Sequence, residues 1–209
     1  MNKKKKLIIV GGAAGADIVF NIMKNYYEDI LFCDSYSKKA DANKLIKFEE
    51  FSNLVREDAV DYFIATGDNF RRSENYKKIR ETTDKFPINV VHEKAFIDKT
   101  NISIGYGNLI LAYSYININT VIKNCSIINT GAIVEHDCIV GNFSQISPNG
   151  TLGGYVEVGD CVFIGLGAVI LPKIKIIESA IIGANTLVNI NIDKPGTYVG
   201  SPARRIHEN

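Results

Sequence analysis

Three histidines occur in this 209-residue chain, and one of them, His136, stands between Glu135 and Asp137. An imidazole, with an ordinary pKa of about 6.5, can take up and return a proton near neutral pH. A carboxylate beside it can orient the ring and stabilise its protonated form. Taken alone, an exposed turn histidine is more often a solvated residue than a base. A second chemical signal is Gly11-Gly12-Ala13-Ala14-Gly15, directly after the apolar run Leu7 to Val10. A tight strand-to-helix turn of this kind can direct free N–H groups at a diphosphate. It does not meet the G-x-G-x-x-G spacing of dinucleotide folds. Cys33, Cys125, Cys138 and Cys161 lie far apart. That fits reduced thiols in a cytoplasmic protein and gives neither a disulfide framework nor a zinc-ligand set, so no metal is implied.

The element that must carry His136 is written in a six-residue period. Ile104, Ile110, Ile116, Ile122, Ile128, Val134, Val140, Ile146, Leu152, Val158, Ile164, Ile170, Ile176, Ile182 and Val188 follow one another without a miss. Four places after each aliphatic the residue is usually small, as at Ser114, Ser126, Ala132, Cys138, Ser144, Ala168 and Ala180. This period predicts a parallel β-helix of flat faces and regular corners. The aliphatics fill the axis, and three hexads make one triangular coil. The run therefore predicts about five coils, stacked at roughly 4.8 Å. His136 falls two places beyond inward Val134, on a corner, with its ring outward. Cys138 falls inward as core filler. One coil later, Gly153 and Gly154 lie over Glu135 and His136, and their missing side chains leave room against the imidazole.

Residues 1–90 carry a different pattern. Strands are expected at Leu7 to Val10, Ile30 to Cys33, Asp61 to Ala65 and Ile88 to Val91. Helices are expected from the glycine turn to about Tyr26, near Glu49 to Arg56, and from about Phe70 to Thr83. Alternating strands and helices predict a small, Rossmann-like α/β sheet with a ligand crevice at the strand C-terminal ends. Residues 91–209 form the β-helix, with the tail from Asn189 capping one end. A net charge of +1 gives no basic stripe for nucleic acid. The run Lys3 to Lys6 precedes too short an apolar stretch for a signal peptide or a membrane span. His92 is expected as a structural contact, and Arg72 as a surface residue.

Five pieces then align in order and spacing with a known group: IIVGGAAG at 8–15, CDS at 33–35, ATGDNFRR at 65–72, INTGAIVEHDCIVGNFSQISPNGTLGG at 128–154 and GTYVGSPARRI at 196–206. Along nearly its whole length the chain resembles the left-handed β-helix sugar acyltransferases of bacterial surface-glycan assembly. These include N-acetyltransferases of nucleotide-linked 4-amino-4,6-dideoxy sugars and sialic-acid O-acetyltransferases. The resemblance implies acetyl-CoA as co-substrate and a left-handed β-helix assembled as a homotrimer, with active sites between neighbouring prisms. It implies His136 as the catalytic base and Asp137 as the acidic residue that strengthens it. Gly12, Ala13, Ala14, Asp34 and Gly67 would hold the nucleotide sugar, and Gln145, Leu166 and Ala184 would line the acetyl-CoA groove. Gly165, Gly167 and Gly183 would let the pantetheine arm lie close, and Arg204 and Arg205 could meet CoA phosphates. Two positions depart from the pattern: Gly15-Ala16 replaces a His-Gly pair, and Gln145 replaces a second histidine. The implied reaction is acetyl transfer to the C4 amine of a nucleotide-linked sugar. The alternatives are O-acetylation of a sialic-acid-like sugar, or a catalytically silent scaffold that binds a sugar nucleotide.

Overall fold

The computed structural model describes residues 6–33 and 44–207. The chain divides between Val90 and Val91 into two compact units. In the first, β1 (Lys6–Val10), β2 (Asp29–Cys33) and β3 (Val60–Ile64) form a parallel sheet in the order β2-β1-β3. Leu7, Ile8, Ile9 and Val10 of the central strand are all buried, as a parallel strand covered on both faces requires. The helices are α1 (Ala13–Met23), α2 (Phe48–Leu54) and α3 (Asn69–Arg80). Phe51 and Ile79 from the last two pack with Ile8, Val10 and Tyr62 of the sheet.

The four-stranded, Rossmann-like expectation needs correction, because the sheet has three strands among the described residues. After Pro87, which has no N–H to donate, Ile88 donates one hydrogen bond to Tyr62 O at 3.0 Å. The next strand, β4 (Val90–Val91), where the units divide, runs in a sheet of the solenoid instead.

In the second unit, two-residue strands alternate with four-residue corners to build three parallel faces. The first face holds Leu109–Ile110, Ile127–Ile128, Gln145–Ile146, Phe163–Ile164 and Ile181–Ile182. The second holds Tyr115–Ile116, Ile133–Val134, Thr151–Leu152, Val169–Ile170 and Leu187–Val188. The third holds Ser103–Ile104, Val121–Ile122, Ile139–Val140, Glu157–Val158 and Lys175–Ile176. Residues eighteen apart stack directly, as Ile128, Ile146 and Ile164 do. Strand N–H groups reach carbonyls of the following coil, for example Ile133 N to Gly150 O at 2.9 Å, and positive-φ corner N–H groups those of the preceding coil, as Asp137 N does to Ile118 O at 3.0 Å.

From Ile110 onward, every aliphatic of the period is at most 3% exposed, and Ile104 packs half-buried at one end. The small residues four places on are buried too. Serine is tolerated there because its hydroxyl finds a carbonyl of the next coil: Ser126 Oγ donates to Gly141 O at 2.6 Å and Ser144 Oγ to Gly159 O at 2.7 Å. Burial pushes the Cys138 thiol up to about 11; it donates to Gly153 O at 3.2 Å.

The corners carry a second period that the aliphatic pattern does not reveal. From Asn101 to Asn185, every sixth residue has positive φ, fifteen in succession. Gly, Asn and Asp, which tolerate that left-handed region, hold eight of these corners. The remainder include Tyr113, Phe143 and Tyr155.

The solenoid has about six turns, where the hexads predict about five. The strict spacing breaks at both ends, and the extra strands lie beyond the breaks. Ile97 stacks on Ile116, nineteen residues away, whereas Ile182 stacks on Tyr198, only sixteen away. One inserted residue upstream and two missing downstream take these strands out of the counted register. The tail ends in an antiparallel pair, Thr197–Val199 with Arg204–His207.

Ile146 is fully buried on the axis, between Ile128 and Ile164. Ile146→Ala is expected to destabilise the protein by about 2–5 kcal/mol, the range for a cavity in a packed core. Equilibrium denaturation measures this; an unchanged unfolding midpoint would show an axis that collapses without loss.

Candidate active site

His136 and Asp137 lie on the corner between the second face, after Ile133–Val134, and the third, before Ile139–Val140. Asp137 takes the positive-φ position, φ 59°, which suits its short side chain. The imidazole Nδ1 lies 2.8 Å from Asp137 Oδ2, and the His136 side chain is 43% exposed. An ionised carboxylate can only accept, so Nδ1 carries the proton. In the neutral imidazole Nε2 then holds the lone pair, the tautomer a general base needs.

Asp137 is fixed from its other side. Asn119, one coil earlier, donates from Nδ2 to Asp137 Oδ1 at 3.1 Å, and Asn101 donates to Asn119 Oδ1 at 3.1 Å. The competing carboxylate is drawn elsewhere: Glu135 Oε2 accepts from Asn117 Nδ2 at 2.7 Å. Asn119 carried no signal in the hexad reading, because its meaning lies in a neighbour eighteen residues away.

The following coil leaves the second imidazole nitrogen accessible. A Cβ at Gly154 would stand 2.7 Å from both Nε2 and Cε1 of His136. Gly154 has no positive φ, so its backbone does not demand glycine; the imidazole does. Tyr155, half-exposed, sets its ring perpendicular to the imidazole with centroids 5.3 Å apart.

The three residues expected to line an acetyl-CoA groove lie apart from this corner. Gln145 opens a strand of the first face, and its Nε2 donates to Ser147 Oγ at 3.4 Å. Leu166 and Ala184, both exposed, stack on the corner between the first and second faces. Within one chain, the second face separates them from His136.

In the first unit, a cleft of about 1140 Å³ opens at the C-terminal ends of the strands, lined among others by Gly11, Gly12, Thr66, Gly67, Asp68, Arg71, Asn75 and Lys78. Gly12 caps α1 in an extended conformation with no side-chain bond, and no acid stands in the first turn. The N–H groups at that helix start are therefore left for a ligand. Ala13 and Ala14 are its first residues. Gly15, where the pattern departs, allows close packing, since a Cβ there would meet Ala65 O at 2.5 Å. Gly67 faces open space. Asp34 lies outside the described residues.

Arg72 corrects the sequence reading, being 1% exposed. Its Nη1 donates to Thr66 O and Gly67 O at 2.9 and 2.8 Å, and its Nη2 to Asn69 Oδ1 at 2.7 Å. It holds the loop that lines the cleft. His92 Nδ1 accepts from Lys94 N at 3.1 Å. Arg205 reaches Pro195 O from Nη2 at 2.6 Å. Among the described residues no cluster of metal-ligand type occurs, and no helix is long and apolar enough to cross a membrane.

No family model matches the chain. It is 35% identical over 85 residues to the GDP-perosamine N-acetyltransferase of Escherichia coli O157:H7, which covers 40% of this chain and 38% of that protein. The chain spans less than half the length of the curated relatives it matches. Solved structures align far more fully. The acetyltransferase domain of PglB from Neisseria gonorrhoeae FA1090, in complex with acetyl coenzyme A, matches with a TM-score of 0.88 at 25% identity, over 97% of this chain and 100% of that one. PerB from Caulobacter crescentus, in complex with CoA and GDP-perosamine, matches with a TM-score of 0.85 at 27% identity, over 96% and 97%.

Gly154→Ala is expected to leave folding intact and to abolish acyl transfer, because its methyl would occupy the approach to Nε2. Turnover by the variant within twofold of wild type, in a direct assay of CoA release, would show that the substrate reaches His136 from another side.

Proposed function

We propose that this chain, which has the fold of the hexapeptide-repeat sugar acyltransferases and resembles them over nearly its whole length, moves an acetyl group from acetyl-CoA to the C4 amine of a nucleotide-linked amino-dideoxy sugar. The observation that carries the reading is the outward-facing His136–Asp137 pair, with Nε2 free and Gly154 clearing its approach. The diphosphate-compatible cleft of the first unit supports a nucleotide-linked acceptor.

In this reading His136 Nε2 takes a proton from the amine as its nitrogen attacks the thioester carbonyl. Asp137, accepting from Nδ1, balances the imidazolium that forms. As the tetrahedral intermediate collapses, the C–S bond breaks and the imidazolium returns the proton to the departing sulfur. The products are the amide and CoA thiol. Backbone N–H groups near the corner would hold the oxyanion, and the thioester is already activated, so positioning supplies much of the remainder. Gly12, Ala13, Ala14, Asp34 and Gly67 would hold the sugar nucleotide; Gln145, Leu166 and Ala184 would line the acetyl-CoA groove.

The separation of Leu166 and Ala184 from His136 by a whole face favours a site completed by a neighbouring copy. That intervening face carries the outward column Tyr115, Ile133, Thr151, Val169 and Leu187, apolar at every place but Thr151. A closed ring of three copies would bury it and bring the groove corner of one chain to the base of the next. The reading further takes the solenoid as left-handed and the enzyme as cytoplasmic, acting in bacterial surface-glycan synthesis.

His136→Ala is expected to reduce acetyl transfer by ~10²–10⁴-fold with the fold retained, the range for a lost general base. In the same assay Asp137→Asn is expected to cost at least ~10-fold in kcat, because the new amide can donate to Nδ1 and drive the ring proton onto Nε2. Initial rates with acetyl-CoA and a set of UDP-, dTDP- and GDP-linked amino sugars test both. Full activity in His136→Ala would remove the imidazole from the chemistry.

A further inference from the structure

Tyr155 occupies a corner that does not suit it. Its φ is 63°, in the left-handed region that penalises bulky side chains. Eighteen-residue steps down the same column lead to Asp137, Asn119 and Asn101, all with positive φ. Those residue types enter that region readily, so the turn alone gives no reason for tyrosine. Burial gives none either, since Tyr155 is 52% exposed. Bulky residues stand at other such corners too, among them Tyr113, Phe143 and, eighteen residues on in this column, Lys173, so strain alone assigns Tyr155 no function.

Its surroundings indicate one. The ring stands perpendicular to the His136 imidazole, 5.3 Å between centroids, and the next residue back is Gly154, whose missing side chain opens the space at Nε2. Anything that brings a nucleophile to Nε2 must therefore pass beside an exposed aromatic ring. The faces of such rings are electron-rich and attract the slightly positive hydrogens of C–H groups. A pyranose presents such a C–H face.

We infer that Tyr155 is a wall of the acceptor subsite, on which the apolar face of the sugar ring rests while its amine is aimed at His136 Nε2; this rests on the function proposed above. The contact belongs to the acceptor and not to acetyl-CoA. It holds the sugar equally before and during reaction, so its loss should appear in the acceptor KM more than in kcat.

The test compares full-length wild type, Tyr155→Phe and Tyr155→Asn in initial-rate assays with acetyl-CoA and the turned-over amino-sugar nucleotide, alongside Tm and solution mass. Tyr155→Phe is expected to behave as wild type. Tyr155→Asn is expected to raise the acceptor KM at least about tenfold, with the acetyl-CoA KM and solution mass unchanged and Tm equal or higher, because Asn relieves the corner. An unchanged acceptor KM in Tyr155→Asn, an equal rise in the acetyl-CoA KM, or a change in mass would overturn the assignment. A wild type that acetylates none of the amino sugars would remove the proposed function and this role with it. Active wild type with an unaltered variant KM would remove only the role of Tyr155.

Discussion

The rest of the solenoid depends on closing three faces around an axis wide enough for a single aliphatic side chain per face. That closure needs two things at once: a small or well-satisfied residue turned inward beside each aliphatic, and a corner residue in the left-handed region. The corner conformation recurs every six residues along the regular run, and the small inward residue at most hexads, with Val156, Val162 and Ile174 the larger exceptions. Once they do, the backbone N–H and carbonyl groups of each coil find partners in the coil next to it, and no buried strand group has to be satisfied by water. Geometry follows from this, because every residue has fixed neighbours eighteen positions away.

That fixed neighbourhood is what orients the exposed histidine of the proposed site. His136 and Asp137 are adjacent in sequence, yet adjacency does not orient an imidazole. Orientation comes from the coil before, where Asn119 occupies the second carboxylate oxygen, and from the coil after, where Gly154 leaves Nε2 uncovered. The corner backbone is held by the ladder on both sides, with Asp137 N donating to Ile118 O and Tyr155 N to His136 O. A base held this way loses little entropy at the moment of reaction. The same rigidity explains why one chain does not assemble the whole proposed site. The faces are flat and the corners far apart, so groups on different corners cannot fold towards each other.

The hexads made the solenoid, its inward residues and the outward His136 legible before any coordinates, because they repeat a single physical requirement many times. Where the requirement is met once, the sequence is quieter. The end turns escape because Ile97 stands one residue, and Tyr198 two residues, before the place the period requires, enough to erase a period but not a hydrogen bond. Arg72 looks like a surface cation in ATGDNFRR, and nothing local says that three oxygens of its own loop, from Thr66, Gly67 and Asn69, await it. Asn119 and Tyr155 act across coils, so their signal lies in the column and not in the string. The run of positive-φ corners could have been suspected from Asn, Gly and Asp at every sixth place; seven other residues interleave and blur it.

The choice between a working enzyme and a silent binding solenoid turns on side chains that a binding module would not need. A scaffold requires the cleft near Gly12 and Gly67, and nothing at the corner of His136. Here the corner holds an imidazole set on a carboxylate, that carboxylate secured on both oxygens, and a glycine without positive φ. A Cβ at that glycine would stand 2.7 Å from Nε2 and Cε1 of the imidazole, so a larger residue would displace the ring from this position. The close fit of ring and glycine suits the proposed role, in which a substrate reaches Nε2. An amine acceptor then suits the corner better than a hydroxyl. It attacks a thioester through its own lone pair, so the base need only collect the proton as the bond forms, whereas a hydroxyl relies on that base to become nucleophilic at all.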